Sequence, residues 1–257
     1  MLTKSFLLNF DENVNKTFCV TDIETTGQKP EDSEIIEIAT VKIQNGEIKE
    51  KFCSYVKPNK SIPSFITQMT GITDSDVKNA QNVREVLNDW LEFINGADYF
   101  CAHNVMFDYD FIYKYVLLHK LPIEILQQLR FFCTVKTARI LYPDLKSRKL
   151  GDLIKHFKIP VNKRHRAMDD AIATASLLIM FLKDIAKKRN ELINHIEKTQ
   201  NEKLKSFEAA EYLSVPKEKI YEMVKSGALN VSEIYTTKSG DEGYLFLRSE
   251  LENMLLE

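Results

Sequence analysis

The stretch Val20-Thr21-Asp22-Ile23-Glu24-Thr25-Thr26-Gly27 decides how the chain is read: an apolar, strand-favouring run passes directly into two acids one residue apart. On a strand, side chains two apart leave the same face, so the carboxylates of Asp22 and Glu24 converge. Two carboxylates brought together on an apolar strand repel each other and lose hydration, and a bound divalent cation offsets both costs. Taken alone, the same stretch suits an ordinary strand end with two solvated acids equally well.

Outward from this stretch, residues 17–22, 35–44 and 47–56 read as three strands, with Asn45-Gly46 as a two-residue hairpin turn between the last two. A short helix near 64–69, an amphipathic helix over 83–94, a strand over 99–102 and a helix over 105–119 follow. A strand over 131–134 leads into a helix that Pro143 stops, and another short helix runs over 149–157. From Ala167 the run AMDDAIATASLLIMFLKDIAKKRN holds strong helix formers and no breaker, so one long helix extends past residue 186 into a polar, charged connector. Strands first and alternating units afterwards predict an α/β fold, a mixed sheet flanked by helices.

Two later stretches bring further polar groups to element ends. In Ala102-His103-Asn104-Val105-Met106-Phe107-Asp108 a strand ends in a polar turn, and a helix carries an acid in its first turn, a position the helix dipole favours by itself. Asp110 competes with Asp108, but residues two apart on a helix face different directions, and Asp108 is nearer the strand end. In His165-Arg166-Ala167-Met168-Asp169-Asp170 a histidine precedes an acid near the start of the long helix. Five residues along a helix set two side chains about 140° apart, so His165 must sit in the loop to share a site with Asp170. A histidine beside a metal-bound acid is a candidate general base, whereas a lone loop histidine is usually surface. Between Lys146 and Arg166 stand eight basic residues and one acid, Asp152. Such runs commonly form solvated faces; around His165, with Arg164 and Arg166 flanking it, this one reads as a phosphate-binding rim.

Together, DIETTG, HNVMFD and HRAMDDA in that order, with Met69-Thr70-Gly71-Ile72-Thr73 between the first two, resemble the DnaQ-like (DEDDh) family of 3′-5′ exonucleases over residues 14–186. The resemblance implies a ribonuclease H-like exonuclease fold, with Asp22, Glu24, Asp108 and Asp170 as metal-binding carboxylates and His165 as general base. The family's histidine-to-aspartate spacing selects Asp170 over Asp169. The resemblance further implies that backbone groups near Thr25 and Thr26 and the side chains of Asn104 and Phe107 hold the terminal nucleotide, although an aromatic in a helix is more often packed than functional. Four acids at one point match two divalent cations, and hard oxygen donors favour Mg2+ or Mn2+. The implied reaction is hydrolysis of phosphodiester bonds from the 3′ end of DNA, of proofreading or repair type, releasing 5′-mononucleotides, with one ion at the attacking water and one at the departing 3′ oxygen. The implied partners are single-stranded or frayed 3′ ends and a DNA polymerase or another replication or repair protein. The same motifs fit an RNA-trimming exoribonuclease, and a catalytically silent nucleic-acid- or partner-binding module with the same fold is the reading from a different class.

At 257 residues the chain has room for one full-sized core and a smaller module. Residues 1–13 read as an N-terminal extension, 14–186 as the exonuclease domain, 187–203 as a helical connector and 204–257 as a small separate domain. That last unit shows helix, turn, helix, a hairpin around Ser239-Gly240 and a final helix from Ser249. It resembles the winged-helix domain of excisionase and MerR-type proteins, whose second helix enters DNA and would here present Lys217, Lys219 and Lys225. Residues 201–257 hold 7 basic and 11 acidic residues, so protein docking fits as well as DNA binding. Gln128-Leu129-Arg130-Phe131-Phe132 looks like a sliding-clamp peptide, but its phenylalanines open a buried strand and are unavailable to a partner.

A hydrophobic share of 44% with 28% charged residues, 7 Pro and 8 Gly excludes long disorder. No window approaches the roughly 18 apolar residues of a membrane span, and the first residues lack an apolar leader, which predicts a cytoplasmic protein with no membrane partner. Four cysteines without a CxxC pair, each in an apolar run, read as buried reduced thiols.

Overall fold

Residues Phe18–Thr25 form the central strand, β1, of a five-stranded sheet. On one side it pairs antiparallel with Ile35–Gln44 (β2), which pairs antiparallel with Glu47–Tyr55 (β3). On the other side it pairs parallel with Tyr99–Ala102 (β4), and β4 pairs parallel with Arg130–Cys133 (β5), giving the order β3-β2-β1-β4-β5. The structure, a computed structural model, describes residues 2–161, 165–237 and 240–256. The mixed sheet and its flanking helices are those the sequence predicts. Asn45 and Gly46 turn the β2–β3 hairpin with φ of 54° and 72°, the two positive values that match the twist of a tight hairpin.

Strand β1 runs three residues further than the sequence pattern suggests, because β2 continues to pair with Glu24 and Thr25. The two acids therefore lie inside the strand and not at a loose end. Between Glu24↔Glu37 and Thr25↔Ile35 the register shifts by one residue, at Ile36. A bulge of this kind resets the alternation of faces. Ile35 and Ile38 both enter the main core, while Glu37 turns to the face of Glu24.

That core is built on the opposite face, where the helices Val83–Ile94 and Val105–Leu118 bring Val86, Trp90, Ile94, Tyr109, Ile112 and Val116 against Cys19, Ile23 and Phe100. Asn82 and Glu85 close a capping box at the start of the first of these helices. Trp90 Nε1 donates to Thr40 Oγ1 at 2.7 Å, and Thr40 Oγ1 lies 2.8 Å from Thr21 Oγ1, so these three buried polar atoms are partnered. Phe131 and Phe132 are buried in β5, which withdraws the clamp-like segment from any partner. Cys19, Cys101 and Cys133 are buried, but Cys53 is exposed, contrary to the sequence reading, because β3 is an edge strand with most of its residues open to solvent. The helices Asp74–Val77 and Ile123–Gln127 were not foreseen; four and five residues are too few to show a helical period.

The chain divides into two compact units, Val14–Lys183 and Met1–Asn13 with Asp184–Glu257. In the second, Lys203–Lys205 (β6), Glu233–Thr236 (β7) and Glu242–Leu247 (β8) form an antiparallel sheet in the order β6-β8-β7, accompanied by the helices Ser206–Leu213, Lys217–Ser226 and Arg248–Leu256. Leu204, Ala210, Tyr212, Ile220, Phe246 and Leu251 are buried in it. The expected β7–β8 hairpin is present, while Ser239 at its predicted turn lies outside the described residues. The N-terminal residues belong to this unit: Lys4 N donates to Glu252 Oε1 at 2.7 Å and Arg189 Nε to Leu7 O at 2.7 Å. The long helix is continuous over Ala167–Lys198. No helix among the described residues is long and apolar enough to cross a membrane.

Replacing Thr40 by valine keeps the shape but strands the Trp90 N–H and the Thr21 hydroxyl. Thr40→Val is expected to cost about 1–3 kcal/mol in urea unfolding, and an unchanged midpoint would contradict the assigned bonds.

Candidate active site

Asp22 and Glu24 leave β1 on one face, and Asp170, in the first turn of the helix Ala167–Lys198, reaches the same point. One carboxylate oxygen from each of the three lies within 4.8 Å of the others. Glu24 and Asp170 are buried and Asp22 is partly open to solvent. Asp108, 3% exposed, stands outside this mutually close set. Its Oδ1 accepts from the amide of Ile23, the residue between the two strand acids, at 3.1 Å. Asp110, its rival in the sequence, is exposed. Asn104 opens the Asp108 helix in a left-handed conformation, φ 80°, which turns the chain sharply from β4 into Val105–Leu118.

Burial and mutual repulsion act together on these acids. Burial raises Glu24 to about 8, with Asp170 and Glu37 adding to the rise and Arg166 opposing it. Asp22 is held well above the ordinary carboxylate range by burial first and then by Asp108, Glu24, Asp170 and Glu37. Asp108 is raised by burial, against the pull of the amide hydrogen bonds it accepts. Such a set cannot be fully ionised without a counter-charge. Two oxygens on one Mg2+ ion lie about 2.9–4.2 Å apart, so three carboxylate oxygens within 4.8 Å fit a shared hard cation with little closure.

His165 adopts φ 59°, and its backbone N donates to Asp170 Oδ2 at 3.1 Å. The histidine is therefore in the loop, two residues before the helix, as sharing a site with Asp170 demands. A left-handed conformation costs a residue with a Cβ about 1–2 kcal/mol, so surrounding bonds must hold it. The Arg166 guanidinium is bound to Glu37 and Tyr55, and Arg164 lies outside the described residues.

The remaining expected contacts are placed as follows. Thr25 Oγ1 donates to Gly27 O at 2.6 Å, and Thr26 exchanges bonds with Glu34, N to O at 2.8 Å and Oγ1 from N at 2.9 Å, so both threonines shape the loop after β1. Phe107 packs on Phe111 with ring centroids 5.2 Å apart and lies against the main core. His103 is bonded on both ring nitrogens, to Thr134 Oγ1 and to Arg148 O at 2.9 Å each, and burial pushes it down to about 4. It ties the segment at Arg148 to the sheet and is neutral near pH 7.

Sequence reasoning missed Glu37. It is 2% exposed, paired with Glu24 in register, and bonded to Arg166 and to Ala167 N. The signal was a single acid inside the apolar run Ile35-Ile36-Glu37-Ile38, where burial requires a partner.

A model of the exonuclease family RNase_T matches residues 19–178, a span that includes Asp22, Glu24, Asp108, His165 and Asp170. The chain belongs to this exonuclease family. It is 40% identical over 197 residues to the DNA polymerase III PolC-type of Clostridium perfringens (strain 13 / Type A), covering 75% of this chain and 13% of that protein. It is 40% identical over 169 residues to the 3′-5′ exonuclease DinG of Bacillus subtilis (strain 168), covering 65% of this chain and 18% of that one. The chain thus spans less than a fifth of the length of these relatives. Among solved structures, Exonuclease X in complex with 5′ overhanging duplex DNA aligns with a TM-score of 0.52 and 25% identity over 68% of this chain and 99% of that one.

The raised carboxylates fix the sign of a pH effect. A group protonated more readily in the folded state stabilises it below the unfolded value and loses that contribution as pH rises through the folded value. For Glu24 the window lies between its ordinary 4.5 and about 8. In EDTA the melting temperature is expected to fall from pH 5 to pH 8, and Mg2+ or Mn2+ at pH 8 to restore it. A flat profile, or no response to the cation, would oppose the assignment.

Proposed function

We propose that the unit Val14–Lys183 is a metal-dependent 3′-5′ exonuclease that hydrolyses phosphodiester bonds at the 3′ end of DNA and releases 5′-mononucleotides. The observation that carries this reading is the convergence of Asp22, Glu24 and Asp170 inside the exonuclease match. In this reading those three carboxylates, with Asp108 behind them, hold divalent cations, and two ions match the charge of four carboxylates. Bound there, Mg2+ or Mn2+ supplies a counter-charge for the phosphate and lowers the pKa of water.

The chain's own residues do the rest. His165 accepts a proton from the attacking water as its oxygen bonds to phosphorus and the bond from phosphorus to the 3′ oxygen breaks; that oxygen is protonated from solvent. Asp170 fixes the histidine backbone through its bond to His165 N. The segment Thr25-Thr26 and the helix start at Asn104 and Phe107 border the terminal nucleotide. The PolC-type relative and the duplex-bound Exonuclease X support DNA as substrate and a replication or repair protein as partner. The small unit we read as a winged-helix-like docking module, since Lys219 is paired with Glu222 at 3.1 Å and Lys217 lies over the Tyr221 ring.

With Mg2+, the purified protein is expected to shorten a 5′-labelled DNA oligonucleotide from its 3′ end, and an RNA strand of equal length more slowly. Asp22→Ala is expected to abolish turnover and His165→Ala to lower kcat at least about a hundredfold. Full activity in either variant removes that residue from the site, and faster cleavage of RNA replaces the DNA reading with RNA trimming.

A further inference from the structure

Arg166 follows the left-handed residue His165, and its guanidinium is already committed. Nη2 lies 2.7 Å from Glu37 Oε1 and Nε lies 3.2 Å from Oε2, a two-point ion pair, and Nη2 is also 2.7 Å from Tyr55 Oη. Glu37 Oε2 accepts a further bond from Ala167 N at 2.9 Å. One buried carboxylate of β2 thus grips the side chain of residue 166 and the backbone of 167, while Asp170 grips the backbone of 165. Three consecutive residues are fixed by two acids.

The anchor stands on the same face as the acid cluster. Glu24 is paired with Glu37, and Glu37 with Tyr55, so the three form one row across β1, β2 and β3. Residues directly opposite on neighbouring strands share a face. A planar fork that meets a carboxylate at two points has its direction set, which a lysine ammonium at the same place would not achieve.

We propose that Arg166 is a positioning residue: the clamp Glu37–Arg166–Tyr55 holds the left-handed turn at His165 so that the imidazole is kept in place for proton abstraction, and Arg166 itself does not bind the nucleic acid. A non-glycine residue in that backbone region persists only where its surroundings over-determine it. The two grips on either side of the turn supply that determination. The inference rests on the exonuclease reading of the same site, in which His165 is the base.

The test is a double-mutant cycle on the full chain, following Mg2+-dependent shortening of a 5′-labelled DNA oligonucleotide. Arg166→Met is expected to lower kcat about ten- to hundredfold with KM within about twofold. In a His165→Ala background the same substitution is expected to change kcat by less than about twofold, because the group it acts through is gone. A raised KM with unchanged kcat and a shallower salt dependence would identify a phosphate contact and overturn the proposal. An undiminished loss in the His165→Ala background overturns it too. Tyr55→Phe, which removes one contact, is the milder second variant, with an expected loss in kcat of about two- to tenfold. Hydrogen–deuterium exchange at the amides of 165–167 needs no turnover: faster exchange there in both variants supports the clamp, and unchanged exchange overturns it. If the unsubstituted protein cleaves no 3′ end while the exchange responds, the exonuclease reading fails and the clamp remains.

Discussion

The constraint on which the rest depends is the crowding of carboxylates on one face of a central strand. Asp22 and Glu24 are adjacent on that face of β1, and the buried acids Asp108, Asp170 and Glu37 surround them. Each added acid raises the cost of the others, and each is held by a donor from another part of the chain. Asp108 accepts the Ile23 amide, Asp170 the His165 amide, and Glu37 both the Arg166 fork and the Ala167 amide. The cluster therefore depends on donors that only the folded chain brings to β1, at the amides of Ile23, His165 and Ala167 and the guanidinium of Arg166.

A single strand must satisfy two opposed demands for this to work. One face of β1 enters an apolar core through Cys19 and Ile23, and the other carries charge. The shift at Ile36 reconciles them on the neighbouring strand, since it admits both Ile35 and Ile38 to the core and turns Glu37 to the charged face. Without it, regular alternation would send Ile35 to the side of Glu37. Bulges beside functional groups are a common means of re-aiming a side chain.

Much of this was legible in the amino-acid sequence. The period of two around Asp22 and Glu24, the Asn45-Gly46 turn and the unbroken run from Ala167 give the meander, the paired acids and the long helix from local rules alone. The mixed sheet followed from element order. What was not legible depends on pairing between strands. Glu37 looked like an ordinary strand residue because its partner, Arg166, is 129 positions away. The extension of β1 to Thr25 and the exposure of Cys53 likewise depend on which strand is central and which is an edge. Arg166 read as part of a basic run because one-dimensional charge counting cannot see an ion pair across the sheet.

The second unit has the opposite electrostatic character. Its 7 basic and 11 acidic residues over 201–257 leave an acidic excess, and several of its cations are already matched locally: Lys203 with Glu233, Lys219 with Glu222, and Arg248 with Glu202. Phosphate binding draws its strength from cations that release counterions, and a segment with an acidic excess supplies little of this. Under the proposed function, the positive charge available to a nucleic-acid strand lies in the unit Val14–Lys183, where Lys146 to Lys158 hold an excess of basic residues on the sequence approach to His165. Phe207 and Ile234 are exposed among the charges of the small unit, which supports the docking role proposed for it. Under the proposed function the two units differ along that electrostatic line, one carrying buried acids whose charge a cation would offset, the other an acidic excess poorly suited to holding phosphates.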